Sequence, residues 1–116
     1  AVSNMKYTPI IATGAFSIGE LAVALRRCDL FITNDSGPMY VAISQNVPVV
    51  ALYGPSSTKL YGPYTKNAIA ITAQPPCLGC GAGMKHKCDD MQCMNRITVE
   101  QVVEAAEKML FGEGNY

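Results

Sequence analysis

The stretch from Leu30 to Ser57 reads as one β-α-β unit, and nothing else in the chain constrains the fold as tightly. Leu30 to Thr33 and Val47 to Tyr53 are short apolar runs rich in β-formers. The segment between them is long enough for about two to three turns of helix. Each run empties into a polar loop that carries Gly and Pro, Asn34 to Pro38 after the first and Gly54 to Ser57 after the second. In a parallel sheet both loops fall on the carboxyl edge of the strands, where α/β sheets take their ligands. Asp35, two hydroxyl-bearing loops and a helix start therefore gather around one crevice.

A chain of 116 residues, 49% hydrophobic and 16% charged, is expected to be a single compact domain spanning residues 1–116. Nine basic and nine acidic side chains cancel, which leaves no electrostatic footprint for nucleic acid. No apolar run reaches the roughly 18 residues of a membrane span, and no signal-peptide pattern is present, so the default compartment is the cytoplasm. Residues 1–12 are read as a leading remnant followed, at Pro9 to Ala12, by a first strand or the approach to one, which Thr13-Gly14 ends.

Ser17-Ile18-Gly19-Glu20 has the form of a capping box and opens a helix over Ile18 to Arg27. Ile18, Leu21, Ala22, Leu25 and Cys28 share its apolar face, and Cys28 reads as a buried helix residue. The next helix is expected to take Gly37 as its N-cap and Pro38 as its first residue, since proline has a suitable φ and no N–H to lose there. It stops at Gln45-Asn46, because Asn tolerates the left-handed conformation and Pro48 blocks continuation. Asn67 to Ile71 is a further strand. Thr98-Val99-Glu100-Gln101 is a second capping box, opening a helix with Val99, Val102, Val103, Ala106 and Leu110 on one face. Residues 75–96 form an irregular loop with four of the five cysteines. The order implies an α/β domain with a mostly parallel sheet.

The loop Asn34-Asp35-Ser36-Gly37-Pro38 carries two readings. Asp35 could hold sugar hydroxyls while backbone amides of Ser36, Gly37, Met39 and Tyr40 hold a phosphate at the positive end of the helix dipole. Alternatively, Asp35 or Ser36 simply caps the helix, as these residue types often do. Physical chemistry alone leaves the two about even.

A wider pattern bears on that choice. Thr33 to Ala42, then Val47 to Ser57, then Leu60 to Asn67, preceded by Phe16 to Phe31, resemble in order the carboxyl-terminal domain of the heptosyltransferase family, glycosyltransferase family 9. The similarity runs from about Thr13 to Leu110. It implies a three-layer Rossmann-like fold, the nucleotide-sugar half of a GT-B glycosyltransferase. It further implies an inverting, metal-free transfer from an ADP-heptose-like donor to the lipopolysaccharide core. On this resemblance Asp35 binds donor-sugar hydroxyls, while Ser36, Gly37, Met39 and Tyr40 surround the diphosphate. Phe16 makes an apolar contact to the adenine, and Ser56 and Ser57 rank lower as contacts.

Two departures qualify it. The family usually has His where this chain has Tyr40, and a phenol cannot carry an imidazolium's charge. The family's catalytic carboxylate and most acceptor contacts lie on an amino-terminal domain that is not in this sequence, so no catalytic residue is assigned here. The chain is expected to bind donor without catalysing alone. The full enzyme would be cytoplasmic, with room for a peripheral place at the inner membrane.

Cys77, Cys80, Cys88 and Cys93 could form a tetrahedral zinc site, but the spacing of the second pair is loose. Free thiols or oxidised pairs in a surface loop are favoured over zinc, and no cofactor is expected. His86 reads as solvated. Tyr53, Tyr61 and Tyr64 either line a cleft or pack loops. Two other functions stay open, a non-catalytic nucleotide-binding or assembly domain and a zinc-stabilised interaction module.

Overall fold

The computed structural model describes residues 4–54, 58, 62–72 and 92–112. Its elements are α1 (Ile18–Arg26), β1 (Phe31–Asn34), α2 (Gly37–Ser44), β2 (Val49–Tyr53), β3 (Ala68–Thr72), α3 (Gln92–Asn95) and α4 (Val99–Phe111). The three strands form one sheet in the order β1-β2-β3, and both pairings are parallel. Phe31 lies opposite Val49, which in turn lies opposite Ala68. The fold is therefore α/β in class, as expected.

β2 is the centre of the molecule because it is apolar on both faces. Val49, Ala51 and Tyr53 face a cluster with Leu25 of α1 and Met39 and Ala42 of α2. Val50 faces the other way, onto Ile71 of β3 and Ala105 of α4, with Leu52, Val102 and Met109 against the same cluster. The strand thus separates two helical layers, and its continuous apolar sequence suits a parallel strand covered on both sides. Burying each such side chain contributes about 1.5–3 kcal/mol.

Local signals set the helix ends. Ser17 Oγ accepts from the Glu20 amide at 3.2 Å while Glu20 Oε1 accepts from the Ser17 amide at 2.8 Å. Thr98 and Gln101 make the same reciprocal pair, at 3.1 and 2.8 Å. Asn46 takes the left-handed conformation, φ 59°, after the C-cap Gln45 of α2. Its carbonyl accepts from Asn67 Nδ2 at 3.2 Å, which ties the end of α2 to the start of β3.

Four expectations from the sequence are corrected. Pro9 to Ala12 forms no strand: Ile10 is 96% exposed and Ile11 is also exposed, with no partner strand beside them among the described residues. A short apolar run supplies strand composition but not the neighbouring backbone a strand needs. The turn that follows is present, with Ala15 N–H donating to Ala12 O at 3.0 Å. α2 starts one residue earlier than expected, with Ser36 as N-cap and Gly37 already helical, so Pro38 sits in the second position. Cys28 is exposed, because α1 ends at Arg26 and the chain turns away before the position could complete the helical face. In α4 the buried stripe runs through Val102, Ala105 and Met109, while Val99, Val103 and Leu110 are exposed. The apolar arc of α4 is wider than the surface it covers, so periodicity alone centred it wrongly.

Residues 73–91 lie outside those described, and with them Cys77, Cys80, Cys88, His86 and the zinc reading; Tyr61 lies outside them as well. The Thr98 cap is expected to contribute to the docking of α4. Thr98→Ala should lower the free energy of unfolding in urea by about 1 kcal/mol, with little change in the slope of the transition.

Candidate functional site

The candidate site lies where β1 ends. The ladder with β2 continues one residue past the strand, through Asp35 N–H donating to Leu52 O at 3.1 Å. That bond fixes the Asp35 backbone at the carboxyl edge of the sheet. Its side chain is half-buried, and no hydrogen bond to its carboxylate comes from the described residues.

Ser36 follows in an extended conformation and does not cap α2 with its side chain. Its hydroxyl instead donates backwards to Asn34 O at 3.3 Å. The capping interpretation of this serine is therefore not what the geometry shows. An uncapped helix start leaves amide donors and the positive end of the dipole facing outward. The donor array is narrower than the sequence suggests: Met39 N–H already donates to Ser36 O at 3.1 Å, and Pro38 has none. Among the described residues, the Ser36 and Gly37 amides have no bonded acceptor.

Gly37 has an ordinary φ, and a Cβ built on it would meet nothing within 4 Å. Neither backbone conformation nor internal packing calls for glycine here. A glycine at this position leaves open space beside the two amides.

Behind the loop, in the core, lies Tyr53, the last residue of β2. Its side chain is fully buried, and its hydroxyl donates to Met39 Sδ at 3.4 Å. Met39 is itself fully buried, so its side chain packs in the core and only its backbone belongs to the loop. Tyr40, at 39% exposure, and the more exposed Tyr64 stand closer to solvent, and both act electrostatically on the Tyr53 phenol. Sequence reasoning left Tyr53 between a cleft wall and loop packing. Its place as the inward-facing end of a strand already buried at Val49 and Ala51 decides for burial, and the period-two register was the available signal.

Phe16 stands apart from this group. It lines an open depression of about 490 Å³ on the outer side of α1, with Glu20, Val23, Ala24 and Arg27, and no residue from Asp35 to Tyr40 borders it. Glu20 there is held below the usual carboxylate range by its hydrogen bonds from Ser17. Ser56 and Ser57 lie outside the described residues.

The comparisons with known proteins agree with this fold. The sequence profile of glycosyltransferase family 9 (heptosyltransferase) matches residues 2–91. The chain belongs to glycosyltransferase family 9. Among curated family 9 proteins, lipooligosaccharide heptosyltransferase 2 of Campylobacter jejuni is 36% identical over 98 residues, covering 81% of this chain and 30% of that protein. Lipopolysaccharide heptosyltransferase 2 of Escherichia coli is 40% identical over 58 residues, 50% of this chain and 17% of its own length. A solved family 9 glycosyltransferase from Veillonella parvula superposes on 97% of the chain with a TM-score of 0.82 and 46% identity, covering 32% of its own chain. The structure of E. coli ADP-heptose lps heptosyltransferase II matches 87% of the chain at a TM-score of 0.69 and 30% identity. This family 9 chain therefore spans about a third, or less, of the length of the relatives it matches. No helix among its described residues is long and apolar enough to cross a membrane.

Burial, and after it the negative charge of Asp35, pushes the Tyr53 phenol above the ordinary tyrosine value of 10.0. The folded state thus favours the neutral phenol more than the unfolded state does. The associated stability is complete below about pH 10, where the unfolded phenol is still protonated, and is lost as pH rises above it. Urea midpoints followed from about pH 8 to about pH 11 should fall at the alkaline end, and Tyr53→Phe should flatten that decline.

Proposed function

We propose that this chain is the donor-binding part of an inverting heptosyltransferase of lipopolysaccharide core synthesis, taking an ADP-heptose-like nucleotide sugar. The observation that carries the reading is the uncapped start of α2 beside Asp35, at the carboxyl edge of a parallel sheet, with a glycine at position 37 that the fold does not require. Its family 9 relatives, lipooligosaccharide and lipopolysaccharide heptosyltransferases, support the choice of sugar and pathway. The similarity to the E. coli ADP-heptose lps heptosyltransferase II supports ADP as the nucleotide.

In this reading the Ser36 and Gly37 amides meet the diphosphate, and the helix dipole adds to them. Asp35 accepts hydrogen bonds from hydroxyls of the donor sugar, a role open to a carboxylate that no described residue already bonds. Tyr40, a phenol where the family usually has His, brings no charge to the anion. Phe16 would reach the adenine only if the nucleotide extends from the loop to the depression on α1.

The reaction is displacement of ADP by an acceptor hydroxyl. Negative charge grows on the departing diphosphate, so amides fixed beforehand at the helix start stabilise the transition state more than the bound donor. The reading assigns the base that deprotonates the acceptor, and the acceptor contacts, to residues beyond this chain. It places the enzyme in the cytoplasm, where nucleotide sugars are available, working on an acceptor held at the inner membrane.

Calorimetric titration with ADP and with ADP-heptose tests the assignment. Both should bind, and Asp35→Asn should weaken ADP-heptose about tenfold, close to 1.4 kcal/mol, while changing ADP much less. Equal effects on the two ligands would remove Asp35 from the sugar, and absence of binding by either would remove the reading. Gly37→Ala should weaken ADP while leaving stability unchanged or raising it by up to about 1 kcal/mol. Tyr40→His should tighten ADP binding below about pH 6.5, where the imidazole is charged.

A further inference from the structure

We propose that Tyr53 is a positioning residue for the donor loop, its hydroxyl holding Met39 so that the first turn of α2 keeps a fixed distance from Asp35. The inference rests on the donor-binding reading and adds to it a residue that touches no ligand.

The loop between β1 and α2 is pinned to β2 at both ends. At the near end, Asp35 N–H donates to Leu52 O at 3.1 Å. At the far end, the hydroxyl of the very next residue of β2, Tyr53, donates to Met39 Sδ at 3.4 Å. Between these pins lie Ser36, Gly37 and Pro38, with the two outward amides. The bonds inside the loop, Ser36 Oγ to Asn34 O and Met39 N–H to Ser36 O, set its local shape but do not attach it to the sheet. The second attachment is made by side chains, Tyr53 and Met39, both fully buried.

This matters because binding at such a loop depends on where donors sit, to within a fraction of an ångström. Asp35 is held by backbone and hardly depends on sequence. The start of α2 is held by packing, and a thioether offers a flexible, adaptable surface that would accept several positions. A directed contact from Tyr53 selects one of them. Burial, and after it the neighbouring Asp35 charge, raises the phenol above the ordinary tyrosine value, so at neutral pH it is protonated and a donor.

The experiment is a double-mutant cycle read in ADP affinity, with the urea midpoint measured in parallel on the same chain. Tyr53→Phe deletes the hydroxyl and keeps the ring; Met39→Leu deletes the acceptor and nearly keeps the volume. Each should weaken ADP by about threefold to tenfold, the net worth of one intramolecular hydrogen bond expressed as affinity. The double variant should be no weaker than the weaker single variant, since both remove the same contact. A residue that merely packs would shift the midpoint and leave affinity alone. Unchanged affinity in both single variants, with Asp35→Asn still weakening ADP-heptose, overturns the positioning role and spares the donor-binding reading. Additive losses overturn it as well, because the two side chains would then act separately. Should Asp35→Asn leave ADP-heptose unaffected, the donor-binding reading falls and this inference falls with it. If Tyr53→Phe does not fold, the Met39→Leu affinity decides.

Discussion

Everything in this chain depends on β2 being buried on both faces while hydrogen-bonded on both edges. Val49, Val50, Ala51 and Tyr53 have no exposure, and the strand pairs in parallel with β1 on one side and β3 on the other. A strand so enclosed can neither slip nor tilt without opening two cores at once. One residue of register shift would exchange the faces, carrying Tyr53 out of the α1–α2 cluster and Val50 out of the α4 cluster. The rigid strand then serves as the reference for what lies at its end. Asp35 hangs from the Leu52 carbonyl, and Met39 is held by the Tyr53 hydroxyl.

That rigidity lets the loop depart from good local practice. Ser36 occupies an N-cap position with its hydroxyl turned back to Asn34 O, and Gly37 lies in the helix without a steric reason. A capping serine and an alanine there would each favour α2. The helix tolerates both losses because Met39 and Ala42 are fully buried against β2, and tertiary packing outweighs local propensity. Local rules are broken here in a manner expected of binding sites, with the remaining structure making up the deficit. An anion seated on the free amides would stabilise the same helix start that the serine leaves open, so binding and folding favour the same conformation.

Much of this was legible in the residues. Both capping boxes form as read, since their geometry is set by four consecutive positions and needs nothing from elsewhere. Asn46 and Pro48 end α2 for equally local reasons. The placement of Asp35 at a strand's carboxyl end followed from the order of elements, and the structure brings Asp35, Ser36, Gly37 and Tyr40 together. What failed was whatever depended on partners. The Pro9 to Ala12 run has strand composition without a strand beside it. Cys28 would continue the apolar face of α1 only if the helix ran on, and α4 has more apolar surface than β2 and β3 cover. The one-residue shift of the α2 cap has a local cause, because proline tolerates both the first and second positions. The back-bonded Ser36 hydroxyl was not readable, since serine caps helices far more often than it leaves them open.

Tyr40 bears on how the proposed site would hold an anion. A histidine there would add a charge beside a diphosphate, a long-range attraction that does not need fine placement. A tyrosine offers a single short-range hydrogen bond, useful only if the loop is well placed. Replacing charge by a neutral donor therefore shifts the demand from electrostatics to geometry. The second attachment of the loop, through Tyr53 and Met39, supplies geometry in this chain. On the donor-binding proposal, a neutral donor at position 40 and directed anchoring at position 53 would be parts of one arrangement, in which fixed amides carry more of the anion's stabilisation than side-chain charge does.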